Sequence, residues 1–316
     1  MKESIKRNIL VAGLNPAWQK TLKFSKFEKN QVNRAISVSY CASGKGVNFC
    51  RAVKIWNNGT AAKVFLFAGG KTGKLLVNAM EAEGLKHRPV FVHAETRSCT
   101  TCVSIGERNM TELVEPSENL GKTAEKEIFN LIFSEVTSKS FLALCGTFPA
   151  GISLDLYTKM VQEAAKNKIP IFMDAVQYTD GALSAGIEVL KVNDDEMKQI
   201  GGKKDVRQAA EACMKKYPVK NIAVTAGANN AFLFTNENGS YEYSIPTVQD
   251  IVNPLGAGDT VGAVMLAEIC AGKDVTESFA VGLAAGSASC MCELPAFFDP
   301  KNVPRILSKI RRRKLS

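Results

Sequence analysis

Asp259 stands directly after Asn253-Pro254-Leu255-Gly256-Ala257-Gly258 and before a run of small and apolar residues from Thr260 to Ala267. Two glycines let the backbone turn tightly with its N–H groups exposed, and a helix over the following run points its positive end back at that turn. The pattern predicts a phosphate cradle. A carboxylate on the first turn, within reach of a substrate hydroxyl, can take that hydroxyl's proton as a phosphoryl group is transferred. The plainer alternative is an ordinary loop closed by an Asp N-cap. A second glycine-rich turn, Ser43-Gly44-Lys45-Gly46-Val47-Asn48, opens a second predicted helix and places Lys45 and Asn48 to meet a polar ligand.

With these turns the chain resembles the PfkB carbohydrate kinases of the ribokinase-like superfamily over nearly its whole length. Within the family it is most similar to the hexose-phosphate branch of 1-phosphofructokinases and tagatose-6-phosphate kinases. Leu14-Asn15-Pro16-Ala17, Gly44 to Asn48, Glu95-Thr96-Arg97, Cys145 to Gly151, Lys191-Val192-Asn193 with Glu196, and Thr225-Ala226-Gly227 match the branch's motifs in order. Departures fall mainly on the substrate side. Gln19 stands where a carboxylate is usual, Ser43, Ser117 and Asn230 where glycine is usual, and Val192 where proline is usual. A glutamine still donates and accepts hydrogen bonds but lacks the charge-assisted strength of a carboxylate.

The resemblance implies transfer of the γ-phosphoryl group of MgATP to a hydroxyl of a ketohexose phosphate, of the fructose 1-phosphate or tagatose 6-phosphate type. Asp259 would be the base, with the N–H groups of Gly256, Ala257 and Gly258 binding the charge that grows on the transferred group. Asn15, Gln19, Gly44, Lys45, Asn48 and Arg97 would hold the substrate, Arg97 gripping its phosphate bidentately and Lys45 adding a point charge. Lys191, Asn193, Thr225, Gly227 and the helix containing Ser287 would hold ATP. Glu196 would hold Mg2+ through water, although Asn193 and Glu196 also read as a plain capping box. Asp174 ends a predicted strand and is a weaker candidate. A kinase of an unphosphorylated sugar or nucleoside is the alternative on the same fold.

The elements that must position these groups alternate. Short apolar runs at 8–14, 62–68, 140–145, 170–174, 187–191 and 221–226, with helical patterns such as 124–133 and 154–165 between most of them, predict an α/β fold. Its core is a doubly wound, mostly parallel sheet with ligands beyond the carboxyl ends of the strands. Residues 20–42 and 88–105 alternate instead as extended amphipathic segments and resemble the family's small β-sheet lid. The whole chain, 1–316, reads as one domain with that lid inserted. Phe24, Val38 and Tyr40, or their alternating neighbours, would face outward and pair two lids in a homodimer.

Composition fits this reading. At 316 residues and 46% hydrophobic, the chain buries a large core. No membrane-length apolar run is present, and the polar start from Met1 to Asn8 lacks a signal peptide's order, so a soluble cytoplasmic protein without a membrane partner is expected. The nine cysteines read as thiols; Cys99 and Cys102 lack the second ligand pair that zinc needs. With only His87 and His93, histidine-dependent nucleophilic catalysis lacks material. The net charge of +9 and the basic tail from Lys309 to Lys314 offer a competing reading as a nucleic-acid binder. No binding motif accompanies that charge, and anionic sugar phosphate and ATP account for part of it; no nucleic-acid partner is expected.

Overall fold

Ser140–Cys145 is buried at every position, as a strand covered on both faces must be, and it lies inside a 10-stranded sheet. The computed structural model describes residues 7–107, 109–177, 179–227, 230–248 and 251–315, so most of the polar N-terminal stretch falls outside the described residues. The chain begins with β1 (Asn8–Ala12), β2 (Ala17–Phe24), β3 (Ser37–Ser43), α1 (Lys45–Trp56), β4 (Ala62–Gly69), α2 (Gly70–Ala82) and β5 (His87–Val92). It continues with β6 (Ser98–Ser104), β7 (Asn109–Val114), α3 (Gly121–Ser134), β8 (Ser140–Cys145), α4 (Leu156–Lys166), β9 (Ile171–Asp174) and α5 (Asp180–Ala185). Then come β10 (Ile187–Asn193), α6 (Asp194–Gly201), α7 (Val206–Lys216), β11 (Val219–Thr225), β12 (Ala231–Thr235) and β13 (Gly239–Ser244). The chain closes with α8 (Ala257–Cys270), α9 (Val275–Ser289), α10 (Val303–Leu307) and β14 (Arg311–Leu315).

The main sheet runs β14-β13-β12-β11-β10-β9-β8-β1-β4-β5. Neighbours from β11 to β5 are parallel, and β12, β13 and β14 add an antiparallel edge. One core, under α1, α2, α8 and α9, gathers Val47, Phe49, Leu76, Met265 and Leu283. The other, under α3, α4 and α7, gathers Ile128, Met160 and Ala210. Close packing needs one bare backbone: a Cβ on Gly46 would lie 2.4 Å from the Cα of Gly13, so glycine is what lets α1 approach β1.

A second sheet, β3-β2-β6-β7, forms the lid. Its make-up corrects the expected bounds. His87–Val92 is an edge strand of the main sheet, paired in parallel with β4, whereas 17–19 and 109–114 belong to the lid. Alternation could not separate these cases, because an edge strand exposed on one side carries the same period-2 pattern as a lid strand. Phe24 is likewise corrected: it is buried and tilts against Phe27 at 5.3 Å, while Val38 and Tyr40 are about half exposed.

The basic tail is an ordered strand. β14 pairs antiparallel with β13, Arg313 bonds Glu242, and the Arg312 guanidinium lies over the Tyr241 ring at 5.3 Å. Charged side chains on an edge strand also block further strand addition. Cys99 and Cys102 lie three positions apart in β6 and so face opposite sides of the lid, which denies them a shared ligand. Among the described residues no helix is long and apolar enough to cross a membrane.

Candidate active site

The parallel strands deliver their polar residues to one end of the sheet: Asn15 beyond β1, Thr147 beyond β8, Asp174 at the end of β9, and Lys191 and Asn193 at the end of β10. α8 points its N-terminus at the same place. Its N-cap, Gly256, has φ +78°, and a Cβ there would meet the Ala296 nitrogen at 2.9 Å, so both conformation and space require glycine. The cradle is narrower than the heptapeptide suggested. Ala257 donates its N–H to the Pro254 carbonyl at 3.2 Å, which leaves the first-turn donors of Gly258 and Asp259 without intrahelical acceptors. A methyl on Gly258 would come within 2.9 Å of the Lys191 Nζ.

Four charged groups meet beside this turn. The Asp174 carboxylate lies between two ammonium groups, accepting from Lys45 through Oδ1 and from Lys191 at 3.0 Å through Oδ2. Burial alone would raise its pKa, but Lys191 and Lys45 together hold it below the usual carboxylate range. Asp259 is the reverse case. Burial, then the Asp174 charge, raises its pKa, and Lys45, Lys191 and a 2.8 Å hydrogen bond from the Asn48 side-chain amide only partly offset that. Neighbouring carboxylates pushed in opposite directions are a frequent mark of acid–base sites. Lys45 itself is held charged: burial opposes the ammonium, and Asp174, Asp259 and Glu196 outweigh it.

These contacts tie Lys45 to the acidic residues of the site. It faces Asp174 and approaches Glu196 at 3.9 Å. The Arg97 guanidinium is steered by the Asn15 carbonyl at 3.1 Å and the Pro16 carbonyl at 3.4 Å. Asn15 in turn donates to the Thr147 hydroxyl at 3.1 Å. Gln19 is almost fully buried and donates to the Thr101 hydroxyl at 2.9 Å inside the lid. A Lys23–Glu293 ion pair of 3.0 Å ties lid strand β2 to the segment after α9.

On the far side of the cleft the plainer reading of Asn193 and Glu196 is met in full. The Asn193 side chain accepts from the Glu196 N–H, and the Glu196 carboxylate accepts from the Asn193 N–H, both at 2.8 Å. Thr225 ends β11, and Gly227, with φ +60°, has open space where a Cβ would go. Ser287 is half-buried on α9 and donates to the Leu283 carbonyl at 2.9 Å, an ordinary helix back-bond. Among the described residues no three acidic, histidine or cysteine side chains converge as a metal cage. Two residues carry more of the site than the sequence suggested. Asp174 is its electrostatic centre, and Arg51, one turn beyond Asn48 on the same helical face, belongs to no motif that marks it in the sequence.

A doubly wound sheet with a β-sheet lid, converging on a helix N-terminus with an adjacent aspartate, is the architecture of a ribokinase-like phosphotransferase. Residues 7–302 match the family model described as pfkB family carbohydrate kinase, and the chain belongs to that family. It is a phosphotransferase acting on a sugar hydroxyl. A tagatose-6-phosphate kinase of Staphylococcus epidermidis is 27% identical over 265 residues, covering 81% of this chain and 83% of that protein. Among solved structures, phosphofructokinase-2 from Escherichia coli superposes with a TM-score of 0.86 at 22% identity, covering 96% of this chain and 98% of that one. A possible 1-phosphofructokinase from Thermotoga maritima gives 0.86 at 19% identity, covering 98% and 100%.

Proposed function

We propose that the protein transfers the γ-phosphoryl group of ATP to a free hydroxyl of a ketohexose phosphate. The observation that carries the reading is Asp259, a carboxylate of raised pKa on the first turn of a glycine-opened helix, 2.8 Å from the Asn48 amide and beside two lysines. Asp259 takes the acceptor hydroxyl's proton as the phosphoryl group leaves ATP. The first-turn N–H groups around Gly258, with Lys45 and Lys191, face the charge that spreads over the phosphoryl oxygens in transfer. Arg97, on the lid side, grips the phosphate the sugar already carries, and Asn15 and Asn48 read hydroxyls. Asn193, Thr225, Gly227 and the α9 segment around Ser287 form the nucleotide side.

Magnesium fits as a companion of the nucleotide. It keeps most of its waters and needs only one or two carboxylates besides phosphate oxygens, and Glu196 is a half-buried carboxylate at the cleft edge with one oxygen already engaged in its cap. Bound with ATP, the ion would neutralise phosphate charge. The Staphylococcus epidermidis relative's name, tagatose-6-phosphate kinase, and the Arg97 position both favour a phosphorylated acceptor. ADP release measured over phosphorylated and free ketohexoses is the direct test. Turnover of a free sugar above that of every sugar phosphate would overturn the choice of substrate.

The lid also supports a dimer. Val38, Tyr40 and Leu113 expose 50%, 51% and 55% of their surface on one side of the lid sheet, and apolar sheet of that kind wants a covering partner. Two lids packed face to face would provide it. Light scattering is expected to give twice the mass of one chain, and a mass near that of a single chain at all concentrations would exclude the dimer.

A further inference from the structure

We propose that Arg51 is a positioning residue: its guanidinium, together with the Ser43 hydroxyl, fixes which end of the Asn48 amide faces Asp259. The catalytic part of this inference rests on the reading of Asp259 as the base. Arg51 is 1% exposed, among the largest fully buried side chains of the protein. Taking a guanidinium out of water is costly unless its charge is matched and its donors are met. Here both conditions hold. Glu83, just past α2, accepts from Nε at 2.6 Å and from Nη2 at 2.8 Å, and the Phe297 ring lies 4.9 Å from the guanidinium carbon.

The remaining donors reach the Ala42 carbonyl of lid strand β3 at 2.6 Å, the Pro295 carbonyl at 3.3 Å and, on Arg51's own helix, Oδ1 of Asn48 at 3.0 Å. Pro295 adjoins the spot where a Cβ on Gly256 would clash, so this guanidinium ties the lid and the edge of the anion cradle to the back of Asn48. The two ends of an asparagine amide are nearly the same size, and its neighbours decide which one faces where. Arg51 supplies one donor to Oδ1, and Ser43, where the resembling kinases carry glycine, supplies a second at 3.3 Å. The NH2 end is thereby turned to the Asp259 carboxylate at 2.8 Å. Turned the other way, the amide would set its oxygen against that carboxylate, and the carboxylate would hold a proton more tightly.

Asp259 is faced by Asn48 and Lys45 from α1, Asp174 from β9 and Lys191 from β10. Arg51 acts on it only through Asn48. The test is a pH titration of Asp259 by NMR with aspartate-selective 13C labelling, the signal identified by its loss in D259N. R51M should move the midpoint upward, and R51K, whose single ammonium cannot span Glu83 and Asn48 together, should move it the same way if R51M fails to fold. S43A should give a smaller upward move. E83Q should lower the melting temperature yet leave the titration in place, because Ala42 and Pro295 still hold the guanidinium. In turnover, R51M should lower kcat at neutral pH on the order of tenfold with KM for ATP little changed, and its acid limb should shift upward. A midpoint unmoved by R51M and R51K, or moved equally by E83Q, would overturn the proposal. If the wild type phosphorylates no ketohexose phosphate while R51M still moves the Asp259 midpoint, the contact stands and only the proposed substrate and the role of Asp259 as its base fall.

Discussion

Asp259→Asn should lose roughly 10²–10⁴ in kcat while KM for ATP changes little, and the same variant should melt at or above the temperature of the wild type. The two expectations come from one cause. Asn keeps the shape and the hydrogen bond from Asn48 but removes a carboxylate whose pKa is raised by burial and by Asp174. A carboxylate with a raised folded pKa costs stability wherever it is ionised, so its contribution is most favourable below the unfolded value near 3.9 and is lost as pH rises through the folded value. The stability gain of the variant should therefore be absent at about pH 3 and grow as the pH rises. Circular dichroism melts across pH check the second half, and a coupled ADP assay checks the first. Near-full turnover in the variant would show that Asp259 is not the base.

The parallel core was legible in the sequence because its strands are unbroken apolar runs between helical patterns. Ser140–Cys145 and Ile171–Asp174 fall where the sequence put them, to within a residue. The antiparallel edge was not legible. β13, Gly-Ser-Tyr-Glu-Tyr-Ser, alternates over too few residues to show which strand it joins, and Arg311–Leu315 looks like solvated charge until Glu242 and Tyr241 are seen beside it. Long-range pairing holds that strand, and long-range pairing leaves no local signal.

The site divides in the same way. Gly256, Gly258, Asp259, Lys45 and Asn48 belong to local turns, and a turn writes its needs into adjacent residues. Contacts between distant segments do not. That Lys45 turns to Asp174 depends on strand β9 ending beside α1, a fact of topology with no trace at residue 45. Arg51 offered one usable signal, its three-residue spacing from Asn48 on a helix. Its partners Glu83 and Pro295 lie far along the chain. Two departures from the family pattern have plain structural uses: Ser117 accepts from the Ala150 N–H at 3.3 Å, and Asn230 donates to Glu242.

Arg97→Ala should raise KM for a ketohexose phosphate roughly 10–100-fold, the equivalent of losing about 1.5–3 kcal/mol of hydrogen bonding to a charged group. On the proposed reading Arg97 meets the substrate's own phosphate from the lid side, while Lys45 is paired with Asp174. The Asn15 and Pro16 carbonyls hold it by Nη2 and Nε, at 3.1 and 3.4 Å, which aims the guanidinium and limits its loss of side-chain freedom on binding. A group bound equally in ground and transition states affects KM and leaves kcat alone, so kcat should stay within about threefold of the wild type. KM for ATP should hold too, because the residues proposed for the nucleotide side lie on other strands. Steady-state kinetics with each substrate varied in turn separates the cases: parallel increases in both KM values would mean that removing Arg97 has disordered the cleft as a whole. Arg97→Lys sharpens the test. It keeps the charge but cannot reach both carbonyls and a phosphate in one plane, so it should recover only part of the loss.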